Sequence, residues 1–426
     1  MKVLHFIAGD FTGGAAKGAL LLHQSLLKLG ATSIVISNSE NYTNDNSIIY
    51  LTKNKYLKYK FKVYRYLARL PLSFYTNKYK KLQFSTGVDG IDITKLYDYN
   101  DADIIHFHWI NGLVNLSSIK KINKPIIWTI RDMWPITGGC HVSLLENSLC
   151  DRYMVGCGSC PLLNSHKYSD LSRFIFVKKF KLFNLKKLNI VGISNWITNL
   201  AASSTIFQSA KFHHIPNNID TDIFRPEDRF FSRNKLNLRI GEDCKVISIG
   251  AHDLLMRHKG FFEFKEALKF LDTSKLVFLF FGLIDNSELD KLKINYLSFG
   301  YISDNNIVRS IYCASDLFLA PSLIESFGKT LAESLSCQTP VVCFDSSGTS
   351  DIVRHKYTGY KAISYDPEDL ANGIKWILGL NKIEQLNIAQ NARNWVIEKY
   401  DSKIIAEKYL LLYKKQLANE KCYKIQ

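Results

Sequence analysis

The chain has 426 residues, is 46% apolar and 22% charged, and carries a formal charge of +16. A chain of this size outgrows a single core, so two domains are expected, and the composition excludes a disordered polypeptide. Nine cysteines in such a length exclude a secreted disulfide scaffold. No run reaches the roughly 20 apolar residues of a spanning helix, and the stretch Val3 to Ala8, interrupted by His5, is too short for a signal peptide. The expectation is a protein kept in the cytoplasm.

In chain order, short apolar runs alternate with amphipathic stretches. Residues 2–8 read as a strand, followed by a Gly-rich turn and a helix over 15–29. Further strands are expected at 33–37, 103–107, 125–130, 189–193 and 212–216. Continuous apolar runs bounded by turns belong in a parallel sheet buried on both faces, and their alternation with helices gives a doubly wound α/β domain. The pattern then restarts: strands at 245–249, 276–281, 317–320 and 340–344, with helices at 262–270, 305–314 and 328–336. The domains are drawn as 1–221 and 222–401, with an amphipathic tail helix in 402–426 packing back on the first. Ligands of such domains bind at the carboxyl ends of the strands.

The charge is uneven. Residues 53–81 hold ten Lys or Arg and no acid, interleaved with aromatics such as Tyr56, Tyr59, Tyr66 and Phe74. A second basic-aromatic stretch, RFIFVKKFKLFNLKK, spans 173–187. Both suit an anionic membrane surface, the inner face of the plasma membrane for a cytoplasmic protein, or else a solvated basic face. No recognisable nucleic-acid module accompanies the charge, so no nucleic-acid partner is expected.

Five segments could carry chemistry. The turn holding Gly13 and Gly14 joins a strand to a helix N-terminus, where backbone N–H groups suit a phosphate; the plainer reading is a tight turn. His106 and His108, two apart on a strand end, point the same way. Arg257 and Lys259 in RHKG precede a helix, as a diphosphate leaving group requires, or are surface cations. Glu325 and Glu333 lie eight apart in PSLIESFGKTLAE, which also holds Gly328. A wholly helical spacing would separate them by about 12 Å, wider than the roughly 5–9.5 Å of an acid/base pair on one glycosidic bond. They suit two parts of one long ligand, or are solvated helix-face acids. Cys140, Cys150, Cys157 and Cys160, spaced C-x9-C-x6-C-x2-C, leave three readings open: structural zinc, free thiols, or redox pairing.

GGAAKGALLL, IPNNIDTDIFRP, RHKG and E-x7-E together resemble the retaining GT-B glycosyltransferases of family 4, over nearly the whole chain. HFHWINGL, WTIRDMWPITGGCH and CGSCPLL further resemble a bacterial exopolysaccharide and lipopolysaccharide subgroup, colanic-acid-like. The resemblance implies a GT-B fold, two Rossmann-like parallel-sheet domains facing a cleft. It implies a hexosyltransferase that takes a UDP- or GDP-sugar, needs no metal for catalysis, and serves a lipid-linked surface-glycan acceptor. Glu325 would contact the donor sugar, Glu333 the ribose, and Lys259 with Arg257 the diphosphate. Gly13 and Gly14 would approach phosphates or acceptor, and His108 would lie near the transferring sugar. The chain departs from the family at Ala251, Arg131 and Asn218, and Arg131 would meet an acidic or phosphorylated acceptor. The alternatives are a nucleotide-sugar epimerase of the same fold and a non-catalytic scaffold subunit.

Overall fold

The computed structural model describes residues 1–79, 83–145, 148–241 and 243–423, the side chains of 420–423 excepted. The chain divides into two compact units, residues 1–216 with 405–426, and residues 217–404.

Unit 1 is built on β1 (Lys2–Phe6), β2 (Thr32–Ser37), β3 (Ile48–Tyr50), β4 (Ile104–Phe107) and β5 (Ile126–Ile130). A two-residue hairpin, β6 (Leu144–Leu145) and β7 (Ser148–Leu149), precedes β8 (Asn189–Gly192) and β9 (Lys211–His214). Seven of these form one parallel sheet in the order β3-β2-β1-β4-β5-β8-β9. Unit 2 has β10 (Lys245–Asp253), β11 (Leu276–Leu283), β12 (Asn295–Ser298), β13 (Leu317–Ala320), β14 (Val341–Phe344) and β15 (Gly359–Ala362). Its order is β12-β11-β10-β13-β14-β15, again wholly parallel. Every residue of β4, β5, β8, β13 and β14 is buried, which is why these strands read as unbroken apolar runs.

In both sheets the strand order reverses direction beside the first strand, between β1 and β4 and between β10 and β13. The loops leaving those strands part to opposite faces and leave a crevice at their carboxyl ends.

Helix α1 (Gly14–Lys28) buries Leu22 and Leu26 on one face of the first sheet. The C-terminal helix Ser402–Tyr423 returns to this face, where Ile405, Ala406, Tyr409, Leu412 and Tyr413 join Val3, Ile104, Ile127 and Val191 in one core. Two of its hydroxyls reach the sheet: Tyr413 Oη lies 2.7 Å from His106 Nδ1, and Tyr409 Oη 2.8 Å from Thr129 Oγ1. The two basic-aromatic stretches have different fates. Helix α2 (Lys55–Ser73) buries only Phe61 and Ala68 and leaves Tyr56, Tyr59 and Tyr66 exposed. Helix Leu171–Phe183 buries Ile175, Phe176 and Phe183, and even Lys179, whose Nζ donates to the carbonyls of Trp134 and Thr137. Among the described residues, no helix is long and apolar enough to cross a membrane.

Tyr413→Phe removes the hydroxyl facing His106 Nδ1 and leaves a buried ring nitrogen without that partner. The expected loss is about 1–3 kcal/mol, read as a lower urea midpoint by tryptophan fluorescence. Tyr66→Phe, on the exposed face of α2, is expected to leave the midpoint unchanged.

Candidate functional site

The crevice of unit 2 is assembled from the loops after β10 and β13. Gly260, at φ +71°, closes the first loop; a Cβ there would stand 1.7 Å from the Pro321 carbonyl oxygen. The absent side chain lets the RHKG turn lie directly on the PSLIES turn, and the Leu323 N–H donates to the His258 carbonyl at 2.9 Å. That contact puts Lys259 Nζ 2.5 Å from Glu325 Oε1. The Ser322 hydroxyl donates to the same oxygen at 3.2 Å, and the Glu325 N–H donates to Ser347 Oγ. Burial opposes ionisation of Glu325, but the ammonium of Lys259, with help from the Ser322 hydroxyl, outweighs it and holds the carboxyl below its ordinary range. Burial, then the Lys259 charge, depresses His258 to about 4, so it stays neutral here.

Gly328, at φ +97°, caps the helix Lys329–Ser336, which carries Glu333. Glu333 is buried; Lys329 Nζ donates to its Oε1 at 2.6 Å and the Tyr312 hydroxyl to its Oε2 at 3.3 Å. Arg257 behaves differently from its neighbour Lys259. Its guanidinium forks onto both oxygens of the buried Glu263, at 2.9 and 2.7 Å, so its charge is committed within the unit.

Unit 1 has its own crevice at the carboxyl ends of β1 and β4, a pocket of about 480 Å³. Gly9 and Asp10 line it from the first loop, Trp109, Asn111 and Gly112 from the loop after β4, and Arg65 and Arg69 from α2. Asn38 ties the two loops together, accepting from the Gly9 N–H at 2.8 Å and donating to the Gly112 carbonyl at 2.9 Å. Asp89 enters beside Gly112, whose Cβ would lie 3.2 Å from Asp89 Oδ2. Burial raises the Asp89 carboxyl, while backbone N–H groups and the charges of Arg65 and Arg69 pull against it. Trp109 stacks on His141 with ring centroids 4.7 Å apart, and His141 is fixed by Asp132. Gly13 and Gly14 open α1, with nothing within 4 Å of where a Cβ would be.

His108 lies beneath this pocket rather than on its lining. It is 4% exposed, and its Nε2 is 2.9 Å from His5 Nδ1. His106 sits beside it, ring centroids 4.0 Å apart, as the alternation along a strand requires. Among the described residues these three imidazoles are the one group of metal-capable side chains with ligand atoms mutually within 4.8 Å. Two features oppose a cation there: His106 spends both ring nitrogens on Tyr413 and Thr129, and the Arg131 charge acts on all three rings. Arg131 is itself buried, with burial lowering it to about 10, and so lies away from any acceptor at the surface.

Of the three readings of the cysteines, structural zinc is not supported. No three of Cys140, Cys150, Cys157 and Cys160 bring their sulfurs within 4.8 Å of one another. Cys140 and Cys160 pack with Leu162 and Leu163, and Cys157 Sγ accepts the Gly138 N–H at 3.2 Å. Burial, the largest cause, raises all four thiols, Cys157 to about 12. Residues 157–160 pack against Gly138 and Ser172, the Gly158 N–H donating to Ser172 Oγ at 2.9 Å.

The motifs identified Lys259, Glu325, Gly328 and Glu333 but missed the unit 1 pocket. Its residues come from separate segments with no common motif. Arg65 and Arg69, one turn apart in a stretch without acids, were the available signal.

Comparisons with known proteins agree with this architecture. Residues 236–395 match the family described as glycosyl transferases group 1. A putative colanic acid biosynthesis glycosyl transferase, WcaC, of Escherichia coli is 22% identical over 85% of this chain and 87% of that protein. The N,N'-diacetylbacillosaminyl-diphospho-undecaprenol alpha-1,3-N-acetylgalactosaminyltransferase of Campylobacter jejuni is 29% identical over 43% of this chain, which spans about half of that protein, 48%. The crystal structure of Anabaena HepE in complex with UDP and glucose superposes with a TM-score of 0.62, at 14% identity, over 97% of this chain and 99% of that one. Two parallel-sheet α/β domains of the GT-B kind are the fold.

Gly260→Ala adds a methyl group against the Pro321 carbonyl at a positive φ. A loss of at least about 2 kcal/mol is expected, a fall of several degrees in the melting temperature of unit 2. The histidine trio sets an acid limit for unit 1. Burial, first, holds the three rings well below 6.5 in the fold, while the unfolded chain binds protons near 6.5. Their contribution is therefore complete above about pH 6.5 and lost as the pH falls below it. Urea midpoints measured from pH 8 to pH 5 are expected to drop over the lower half of that range, and less steeply in His108→Gln.

Proposed function

We propose that this chain, whose residues 236–395 match the family described as glycosyl transferases group 1, is a retaining hexosyltransferase. It moves a sugar from a UDP- or GDP-sugar to a lipid-linked surface-polysaccharide acceptor at the inner face of the plasma membrane. The observation that carries this reading is the Lys259–Glu325 pair held across the crevice of unit 2, one helix start away from Glu333. A nucleotide-sugar needs a cation for its diphosphate and carboxylates for its hydroxyls. The relatives' names, colanic acid biosynthesis and a diphospho-undecaprenol acceptor, support the acceptor class.

In this reaction Lys259 turns from Glu325 to the diphosphate and offsets the charge that develops as the bond from the anomeric carbon to phosphate breaks. Glu325, released, accepts hydrogen bonds from the donor sugar, and Glu333 from the ribose. The acceptor oxygen bonds to the anomeric carbon on the face the diphosphate leaves. Its proton passes to the leaving phosphate, so no strong protein base is needed. Gly13 and Gly14, with open space where side chains would stand, let phosphates or acceptor approach the N-terminus of α1. Arg257 supports the loop through Glu263. His108 is assigned a positioning role, anchoring the strand end that carries Trp109 and Asn111.

Calorimetry with UDP, GDP and their sugar conjugates tests the reading. One nucleotide is expected to bind wild type and to bind Glu333→Ala at least tenfold more weakly; UDP, present in the HepE complex, is the first to try. Glu325→Gln is expected to lower kcat for transfer by about 10²–10³. Well-folded protein that binds no nucleotide would instead be a non-catalytic subunit.

A further inference from the structure

Helix α2 presents three different faces. Phe61, Ala68 and the partly buried Leu72 face the unit. Tyr56, Tyr59, Tyr66, Leu67, Leu70 and Phe74 fall on one side at a 100° step per residue and stand exposed, Phe74 at 85% and the tyrosines near 70%. Between these faces runs a row of cations, Lys58, Lys62, Arg65 and Arg69, which a 100° step per residue places on one side. Lys58 is paired with Glu40 at 2.8 Å. Arg65 and Arg69 are exposed, line the pocket, and make no hydrogen bond or ion pair among the described residues.

The pocket they edge is polar within. Asp10, held by the Ser39 hydroxyl at 2.7 Å, and the partly buried Asp89 offer carboxylates. The Trp109 ring, clamped on His141, offers an apolar face beside them. Carboxylates with a fixed aromatic ring suit a saccharide; two guanidiniums one turn apart, about 6 Å of helix rise, suit a diphosphate. An exposed aromatic stripe on the same helix suits the acyl boundary of a bilayer. The order along the helix surface, aromatic stripe, cation row, pocket, repeats the order of a lipid, a diphosphate and a sugar.

We propose that this pocket is a binding site for a polyprenyl diphosphate-linked saccharide, with Arg65 and Arg69 on the diphosphate, the stripe Tyr59–Tyr66–Leu70 toward the lipid, and Asp10, Asp89 and Trp109 around the first sugar. The proposal rests on the glycosyl-transfer reading and gives its acceptor a site. Both arginines are exposed, so their replacement leaves the fold intact.

The test is binding of farnesyl diphosphate, inorganic pyrophosphate and phosphatidylglycerol vesicles to the full chain, to Arg65→Ala/Arg69→Ala and to Tyr59→Ser/Tyr66→Ser. Expected is tighter binding of farnesyl diphosphate than of pyrophosphate. The arginine variant should lose at least tenfold for both, and the tyrosine variant should lose affinity only for the prenyl compound. UDP or GDP binding should be unchanged in every variant, so donor binding reports on the transferase reading separately. Farnesyl diphosphate bound equally by wild type and the arginine variant would overturn the proposal. So would loss confined to vesicles, which would make the arginines a headgroup contact. Equal affinity for pyrophosphate and farnesyl diphosphate would overturn the lipid part.

Discussion

Both candidate sites follow from one constraint of parallel sheets. Connections from neighbouring strands must cross to opposite faces wherever the strand order reverses, and backbone cannot fill the gap that opens there. In unit 1 that gap lies between β1 and β4, in unit 2 between β10 and β13. The loop after β1 supplies Gly9 and Asp10, and the loop after β4 supplies Trp109, Asn111 and Gly112. The loops after β10 and β13 supply Lys259 and Glu325. The same topology used twice thus yields one pocket with exposed cations at its rim and another with a cation already paired at its centre.

The unit 2 arrangement is held by absence as much as by contact. Gly260 has no side chain where the Pro321 carbonyl lies, and Gly348 has none where the carbonyl oxygens of Glu325 and Ser326 lie, 2.7 and 2.6 Å from a Cβ. The Gly348 N–H donates to the Glu325 carbonyl at 2.8 Å. Glu325 is therefore fixed from both sides before its side chain makes any bond. A half-buried carboxylate so placed, without a partner, would be costly, and Lys259 supplies that partner, the two side chains being 17% and 20% exposed. A pair at that depth is stable yet still reached by solvent, so an incoming anion can compete for the lysine. The Arg257–Glu263 fork, with Glu263 at 5%, is a different object: two parallel bonds to a buried acid make it a strut.

How much of this the sequence showed depends on burial. Central strands announced themselves because both of their faces are covered. Within the two large sheets the strands it left unread are β3, β12 and β15, all at sheet edges; the two-residue β6 and β7 were unread as well. In β12 and β15 the burial lapses, as in Asn295–Ser298, so no apolar run marks them, and β3 spans only three residues. Glu325, Gly328 and Glu333 were legible since one loop and one helix start carry them all. His108 was legible as a strand-end histidine, but not its burial, which depends on His5 from a strand 103 positions earlier. The thiols stayed open to three readings for the same reason: spacing says which sulfurs are near in the chain, whereas Leu162, Leu163 and Phe84 decide what surrounds them.

Charge composition is the weakest guide to facing. Two stretches of nearly the same character meet opposite ends. In Leu171–Phe183 Phe176 and Phe183 turn inward while Phe174 stays exposed, and Lys179 is buried against the carbonyls of Trp134 and Thr137, its Nζ 3.7 Å from the centroid of the Trp134 ring. Burial lowers that lysine to about 7, which makes it as much a neutral donor as a cation. In α2 only two residues are buried, and Lys62, Arg65, Arg69, Tyr56, Tyr59 and Tyr66 stay exposed. What separates the two helices is the periodicity of the aromatics relative to the cations. In α2 Tyr56, Tyr59, Tyr66 and Phe74 keep to one stripe and Lys58, Lys62, Arg65 and Arg69 to another, so a single helix can face an apolar boundary and an anion together. In the other helix Ile175, Phe176, Lys179 and Phe183 share a face, and the lysine is drawn inside with its neighbours. Net charge counts both helices alike; only the phase of the pattern tells a surface for a ligand from a piece of core.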